Sequence, residues 1–336
     1  MKQITLAHGS GGQAMQQLID ALFISAFANP FLSEQEDQAR IPLQTLTGAG
    51  DRLAYSTDSY VIDPLFFPGG DIGKLAVCGT ANDIAVSGAL PRWLSCGFIL
   101  EEGLEIETLE RIVTSMAAEA KAAGIAIVTG DTKVVPHGAA DKLFINTSGL
   151  GSIPTGLNWG ARHIQPGDML LVSGTLGDHG ATILNLREQL GLDGDLQSDC
   201  AILTPLIQTL VALPGVRALR DATRGGVNAV IHEFAAVCGH GIELQETALP
   251  VKPAIRGACE LLGLDPLNFA NEGKLVIAVQ RNAAERALEA LRSHPLGRNA
   301  AIIGEVTSQR GIRLSGLYGV KRSLDLPHAE PLPRIC

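Results

Sequence analysis

The stretch LAYSTDSYVIDPLFFPGGDIGKLAVCGTANDIAVSGA (53–89) decides the fold. Its first ten residues, LAYSTDSYVI (53–62), are rich in β-branched and aromatic side chains and read as a strand. FFPGGDIG (66–73) carries the Pro-Gly punctuation of a turn. KLAVCGTANDIAVSGA (74–89) then reads as a buried, alanine-rich helix. Strand, turn and buried helix make one α/β unit.

The same alternation extends outward. RWLSCGFIL (92–100) reads as a strand, and IETLERIVTSMAAEAKAAG (106–124) as an amphipathic helix closed by Gly124. AIVTGDT (126–132) and KLFINTSGLG (142–151) complete the unit. Upstream, HGSGG (8–12) leads into QQLIDALFISAF (16–27), which has helical periodicity, while 33–50 is polar and irregular. IPTGLNWGARHIQPGD (153–168) reads as a connector, after which the pattern restarts. DMLLVSG (168–174), KLVIAV (274–279), AAIIGEV (300–306) and GIRL (311–314) are expected strands. GATILNLREQL (180–190), GGVNAVIHEFAAVCG (225–239) and RNAAERALEALRSH (281–294) are expected helices. GDRLAYSTDS (50–59) and GDMLLVSGTL (167–176) form a weak repeat, one copy per half.

Two α/β (α+β) domains are therefore expected, at 1–155 and 156–325, followed by a flexible tail at 326–336. A single Rossmann-like sheet is the alternative, but no G-x-G-x-x-G follows a strand. GGDIGK (69–74) is not a Walker A loop, because Leu75 stands where a magnesium-binding Ser or Thr belongs. The chain has 336 residues and a net charge of −9, which argues against a nucleic-acid phosphate backbone as partner. MKQITLAHGS has no apolar core of a signal peptide, and no apolar run approaches the ~20 residues of a membrane span. Six cysteines without a C-x-x-C or a regular framework suggest a reduced, cytoplasmic protein.

Four aspartates sit among small residues: Asp58 in STDS, Asp83 in GTANDIAVSGA, Asp131 in TGDTK and Asp221 in RDATRGG. Such carboxylates suit magnesium, which keeps waters and substrate phosphates in its shell. Each alone reads better as a cap or turn residue. Asp83 is different, because a charge in an apolar helix is costly without a partner. Lys74, Lys133 and Lys274 stand beside turns or strand starts as phosphate contacts, although Lys274 reads better as a solvated lysine. Glu272 in FANEGKLVIAV reads as a general base or a turn residue. Gly11 and Gly12 of HGSGG belong to an amide-rich segment able to cradle phosphate or act as a lid. The five internal cysteines lie in apolar runs and read as core.

The chain ends LPHAEPLPRIC. Pro327, Pro331 and Pro333 favour an extended polyproline conformation at about 3.1 Å per residue, so some ten residues reach roughly 30 Å. A thiol on such a tail can enter and leave a cleft, although a frayed terminus reads the same way. The α-carboxylate beside it disfavours thiolate, and Arg334 or a site lysine is expected to compensate.

HGSGG, STDSYVIDPLFFPGGDIGKLAVCGTANDIAVSGA, TGDTKVV, RDATRGGVN, NEGKLV and the terminal PRIC together resemble the HypE family, the carbamoyl dehydratases of NiFe-hydrogenase maturation. The resemblance covers essentially the whole chain, and the ending is its most specific part. That family is similar to aminoimidazole ribonucleotide synthetase and selenophosphate synthetase. The resemblance implies an aminoimidazole ribonucleotide synthetase-like two-domain fold and a homodimer paired through the N-terminal domains, with ATP and Mg2+ bound by that interface. It implies that HypF carbamoylates Cys336, that ATP-dependent dehydration leaves a thiocyanate, and that cyanide passes to iron on the HypC–HypD complex. It implies metal ligation by Asp58, Asp83 and Asp221 and nucleotide contacts from Lys74, Asp131, Gly11 and Gly12. Glu272 and Lys133 are then the candidates for proton abstraction. Two other classes remain: a synthetase of this superfamily acting on a free small molecule, which needs no terminal cysteine, and a non-catalytic carrier, which needs no acidic cluster.

Overall fold

The structure, a computed structural model, describes residues 3–34, 36–192, 196–328 and 334–336. Two sheets organise it. The first has four strands in the order Arg52–Tyr60, Leu143–Ile153, Leu90–Glu101, Ala126–Val135. Only the last pair is parallel; the other pairs are antiparallel, with Asp58 opposite Thr147. The helices Ile72–Ala85 and Ile106–Ala123 cover one face. Almost every residue of Ile72–Ala85 is buried, as its alanine-rich composition requires, and Asp71 caps it by accepting from the amides of Gly73 and Lys74. Gly124 ends the second helix in the left-handed conformation, φ 69°.

The other face of this sheet is covered at one end, where Leu46 and Phe31 pack on Trp93 and Val128, and open at the other. Leu53, Tyr55 and Ile99 stand 54, 67 and 44% exposed on it. Adjoining them are Ser59, Asn146, Asp131 and Lys133. Strand periodicity of two forces this division, since alternate residues point to opposite faces.

The second sheet has seven strands in the order Lys321–Ser323, Ile312–Ser315, Gly241–Gln245, Ala301–Thr307, Met169–Val172, Leu275–Val279, Val216–Asp221. Its pairs are antiparallel except Ile312–Ser315 with Gly241–Gln245. Leu275–Val279 is buried along its whole length, which explains its continuous apolar run.

The halves are joined by an apolar core. It runs from Ile72, Leu75 and Cys78 to Ala181, Cys200 and Phe269, and takes in Ile335 of the tail. Asn82 fixes the junction: its amide donates to Ala201 O at 3.0 Å and accepts from Leu203 N at 2.8 Å.

Several sequence expectations change. The polar stretch 33–50 holds a short helix, Leu43–Thr47. QQLIDALFISAF passes from α-helix at Gln13–Leu18 to π-helix at Ile19–Ile24. Val216–Asp221, Gly241–Gln245 and Pro253–Leu262 are elements that the sequence patterns did not announce. Pro331 and Pro333 lie outside the described residues, whereas Arg334, Ile335 and Cys336 are described and docked.

Candidate active site

Asp58, Asp83, Asp221 and Glu272, from distant parts of the chain, meet at the junction. Asp58 and Asp131 lie inside strands, not in turns as their small neighbours suggested. Asp58 shares the helix-facing side of its strand with Tyr60, whose hydroxyl is 3.5 Å from Asp58 Oδ2. Asp83, near the end of Ile72–Ala85, is half-buried rather than enclosed, and Ser56 Oγ donates to its Oδ2 at 2.7 Å. Asp221 ends the strand Val216–Asp221 and is buried.

These three carboxylates act on one another. Burial raises all three, and Asp83 and then Asp58 push Asp221 further, to about 7. Arg224 partly offsets this at Asp58. Carboxylates that raise one another's pKa favour a cation among them, and hard oxygen donors suit magnesium. They do not form a closed cage, however. Among the described residues no three His, Cys, Asp or Glu groups converge to hold a metal unaided. The expected three-aspartate ligand set therefore fits an open site, in which water and phosphate oxygens complete the shell.

Glu272 is 2% exposed, and its Oε1 has no hydrogen-bond partner among the described residues. Burial first, then Cys200, Asp199, Asp221 and Asp58, raise its carboxyl well above the ordinary range. It is a buried carboxyl in the bend that leads into the strand Leu275–Val279. Asp199 holds the segment by accepting from Glu272 N at 3.1 Å and from Lys274 Nζ at 3.0 Å. Lys274 is thus buried and paired, which corrects its reading as a solvated lysine. A carboxylate that binds its ammonium removes the cost of burying it.

The tail ends among these groups. Val61 N donates to Cys336 O at 3.1 Å, and Arg334 Nε donates to Val61 O at 2.9 Å. Ile335 is 2% exposed. Arg224 stands 3.6 Å from the half-buried Cys336 Sγ. Burial, reinforced by Glu272, pushes the thiol up to about 12, against the pull of Arg224. The compensating cation is therefore Arg224 and not Arg334 or a lysine as expected; Arg334 reaches Asp141 at 2.6 Å.

Other expected residues stand apart. Lys133 pairs with Asp131 at 2.8 Å on the open face of the first sheet. Both line a cavity of about 320 Å³ with Ser59, Val61 and Asn146. The structure does not bring Lys133 to Glu272. Gly11 (φ 78°) and Gly12 have open space where a side chain would stand, so they cradle nothing within this chain. Gly9 packs on Val134, which sets HGSGG beside the strand carrying Asp131 and Lys133. Lys74 donates to Gly69 O at 3.1 Å. Gly69 (φ 94°) lies so close to Ser198 that a methyl group would stand 2.5 Å from its carbonyl.

The chain matches the family described as AIR synthase related protein, with its N-terminal domain at residues 35–153 and its C-terminal domain at 165–316. It is 77% identical to carbamoyl dehydratase HypE of Escherichia coli K12 over 336 residues, the whole of both chains. The chain belongs to the HypE carbamoyl dehydratase family. HypE of Rhodobacter capsulatus is 51% identical over 338 residues, covering 100% of this chain and 98% of that one. The crystal structure of E. coli HypE superimposes with a TM-score of 0.94 over 96% of this chain and all of that one. A HypE solved in complex with ATP, 46% identical, gives 0.93 over 98% and 99%. A HypE solved as a HypE–HypF complex, also 46% identical, gives 0.80 over 92% and 99%.

Four residues at this site were not expected from the sequence: His179, Arg187, Asp199 and Arg224. Arg224 lies within RDATRGG and was legible as a cation beside an acidic residue. His179, Arg187 and Asp199 carry no local signal, because their partners are remote in the chain.

Proposed function

We propose that this protein dehydrates an S-carbamoyl group on its own Cys336 to a thiocyanate, using ATP, and so supplies the cyanide ligand of NiFe-hydrogenase iron. The observation that carries this reading is the docked tail: Cys336 packs against its own chain beside Arg224 and within the field of Glu272 and Asp58. The family membership and the ATP complex of a relative support it.

The chemistry balances in two steps. The carbamoyl oxygen attacks the γ-phosphoryl group of ATP, releasing ADP and making that oxygen a phosphate leaving group. The C–O bond then breaks, both nitrogen protons leave, and S–C≡N remains with inorganic phosphate. Glu272 in its carboxylate form is the proton acceptor we assign; the burial that raises its carboxyl makes that carboxylate the stronger base, and the departing phosphate takes the second proton. Lys133 is the second candidate, facing the cavity beside Val61. Arg224 orients the sulfur and the group it carries. Lys74, Asp131, Gly11 and Gly12 are assigned to nucleotide. Asp58, Asp83 and Asp221 would hold Mg2+, which when bound neutralises phosphate charge.

HypF, seen in complex with a relative, is the carbamoyl donor in this reading, and HypC–HypD the cyanide acceptor. The raised thiol pKa fits this order, since a neutral docked thiol is a poor nucleophile and must leave to be carbamoylated. The open face of the first sheet, with Leu53, Tyr55 and Ile99, supports a homodimer through the N-terminal domain, taken as 1–155. The C-terminal domain is taken as 156–325 and the tail as 326–336. No helix among the described residues is long and apolar enough to cross a membrane, and we assign the protein to the cytoplasm.

Mass spectrometry of the C-terminal peptide after HypF, carbamoyl phosphate and ATP tests the reading. The expected result is a carbamoyl adduct that becomes a cyano adduct only with ATP, and neither in Cys336→Ala. A carbamoyl or cyano group on an internal cysteine with Cys336 unmodified overturns it.

A further inference from the structure

The main chain of the tail is held from two sides: the amides of Val61 and Asp63 donate to Cys336 O at 3.1 Å and Arg334 O at 3.5 Å, and the helix Asp178–Glu188 supplies side-chain donors to Ile335 O and Arg334 O. His179 is fully buried. Its ring stands edge-on to Phe67, with centroids 5.4 Å apart and planes at 83°. Nε2 is 2.7 Å from Ile335 O, and Nδ1 is 2.7 Å from Ser198 Oγ. A carbonyl oxygen only accepts, so the proton sits on Nε2, and Nδ1 accepts from the serine hydroxyl. Burial lowers the imidazole pKa and so favours this neutral tautomer. Ser198 is itself fixed, since its amide donates to Pro68 O at 2.8 Å.

Arg187 lies eight residues further along the helix, a little over two turns and about 80° round its axis. Its Nε donates to Asp63 O at 2.6 Å, and its guanidinium also donates to Arg334 O. Both residues thus bind successive carbonyls of the tail. Carbonyl contacts set register regardless of side chain, and the next residue is Cys336, whose Sγ lies 3.6 Å from Arg224. A one-residue slip would remove the thiol from Arg224.

We propose that His179 is a positioning residue for the dehydration step: its Nε2–H on Ile335 O, with Arg187 on Arg334 O, sets the register in which the modified Cys336 is presented. This rests on the dehydratase reading above. In that reading the thiol leaves this dock to be carbamoylated, so the grip governs dehydration and not carbamoylation.

The test uses full-length protein and two readouts. One is the alkylation rate of Cys336 by iodoacetamide, read on the C-terminal peptide, which needs no activity. The other is single-turnover conversion of carbamoyl to cyano adduct. Loss of a buried hydrogen bond of about 1.4 kcal/mol corresponds to a tenfold change. In His179→Leu, alkylation is expected to rise about tenfold and dehydration to fall about tenfold, with HypF carbamoylation unchanged. His179→Gln, which keeps an N–H donor near Nε2, should recover part of both. Should His179→Leu also expose the internal cysteines, Arg187→Gln decides the matter by the same readouts. Unchanged alkylation and dehydration in an intact variant overturn the proposal, as does an equal loss of carbamoylation. Wild-type protein that forms no cyano adduct defeats the dehydratase reading instead, while the alkylation arm still reports the grip.

Discussion

Replacing Glu272 with glutamine separates a proton acceptor from a packing residue. Glu272 is 2% exposed, its Oε1 is unpartnered among the described residues, and burial with Cys200 and three aspartates favours the neutral carboxyl. Glutamine has the same shape and is also neutral, so at low pH the two proteins should differ in stability by less than about 1 kcal/mol. Linkage fixes the sign at higher pH. The folded pKa lies above the unfolded value near 4.5, so the wild-type contribution is full below that value and is lost as pH rises through the folded pKa. Across that window wild type should lose about 1.4 kcal/mol per pH unit relative to Glu272→Gln. Catalysis should move the other way. Removing a positioned base costs about 10²- to 10⁴-fold, so cyano adduct formation should fall by that factor while HypF carbamoylation persists. Denaturant melts at several pH values measure the first effect, and single-turnover mass spectrometry the second. Dehydration within about threefold of wild type would refute the assignment, since a positioned base is worth far more. A stability gap that does not move with pH would refute the neutral carboxyl.

Asp83→Asn is expected to fold and to keep the Ser56 contact through its amide oxygen, yet to lose ATP-dependent dehydration; normal turnover would remove Asp83 from the site. Tyr55→Asp on the open sheet face should shift sedimentation at micromolar concentration from dimer to monomer, and an unchanged dimer would place the interface elsewhere. Asn82→Ala should cost about 1–3 kcal/mol in stability for each buried backbone group it strands, Ala201 O and Leu203 N, measured by urea unfolding.

The sequence by itself determined what depends on neighbours along the chain. The alternation in LAYSTDSYVI, the apolar run of KLAVCGTANDIA and the glycine after AAEAKAA specify a strand, a buried helix and a helix end through short-range backbone physics. The terminal position of Cys336 and the acidic motifs were equally legible, because they are facts of order and residue type. Only the tertiary structure decided which charges meet. Lys274 is buried because Asp199 crosses to it, and Lys133 is turned to the open face because its strand parity points it there. Asp58, Asp83, Asp221 and Glu272 converge from both halves, and His179 finds Ile335 across 156 residues. Such pairings follow from how two sheets pack about one junction, and no local pattern encodes that geometry.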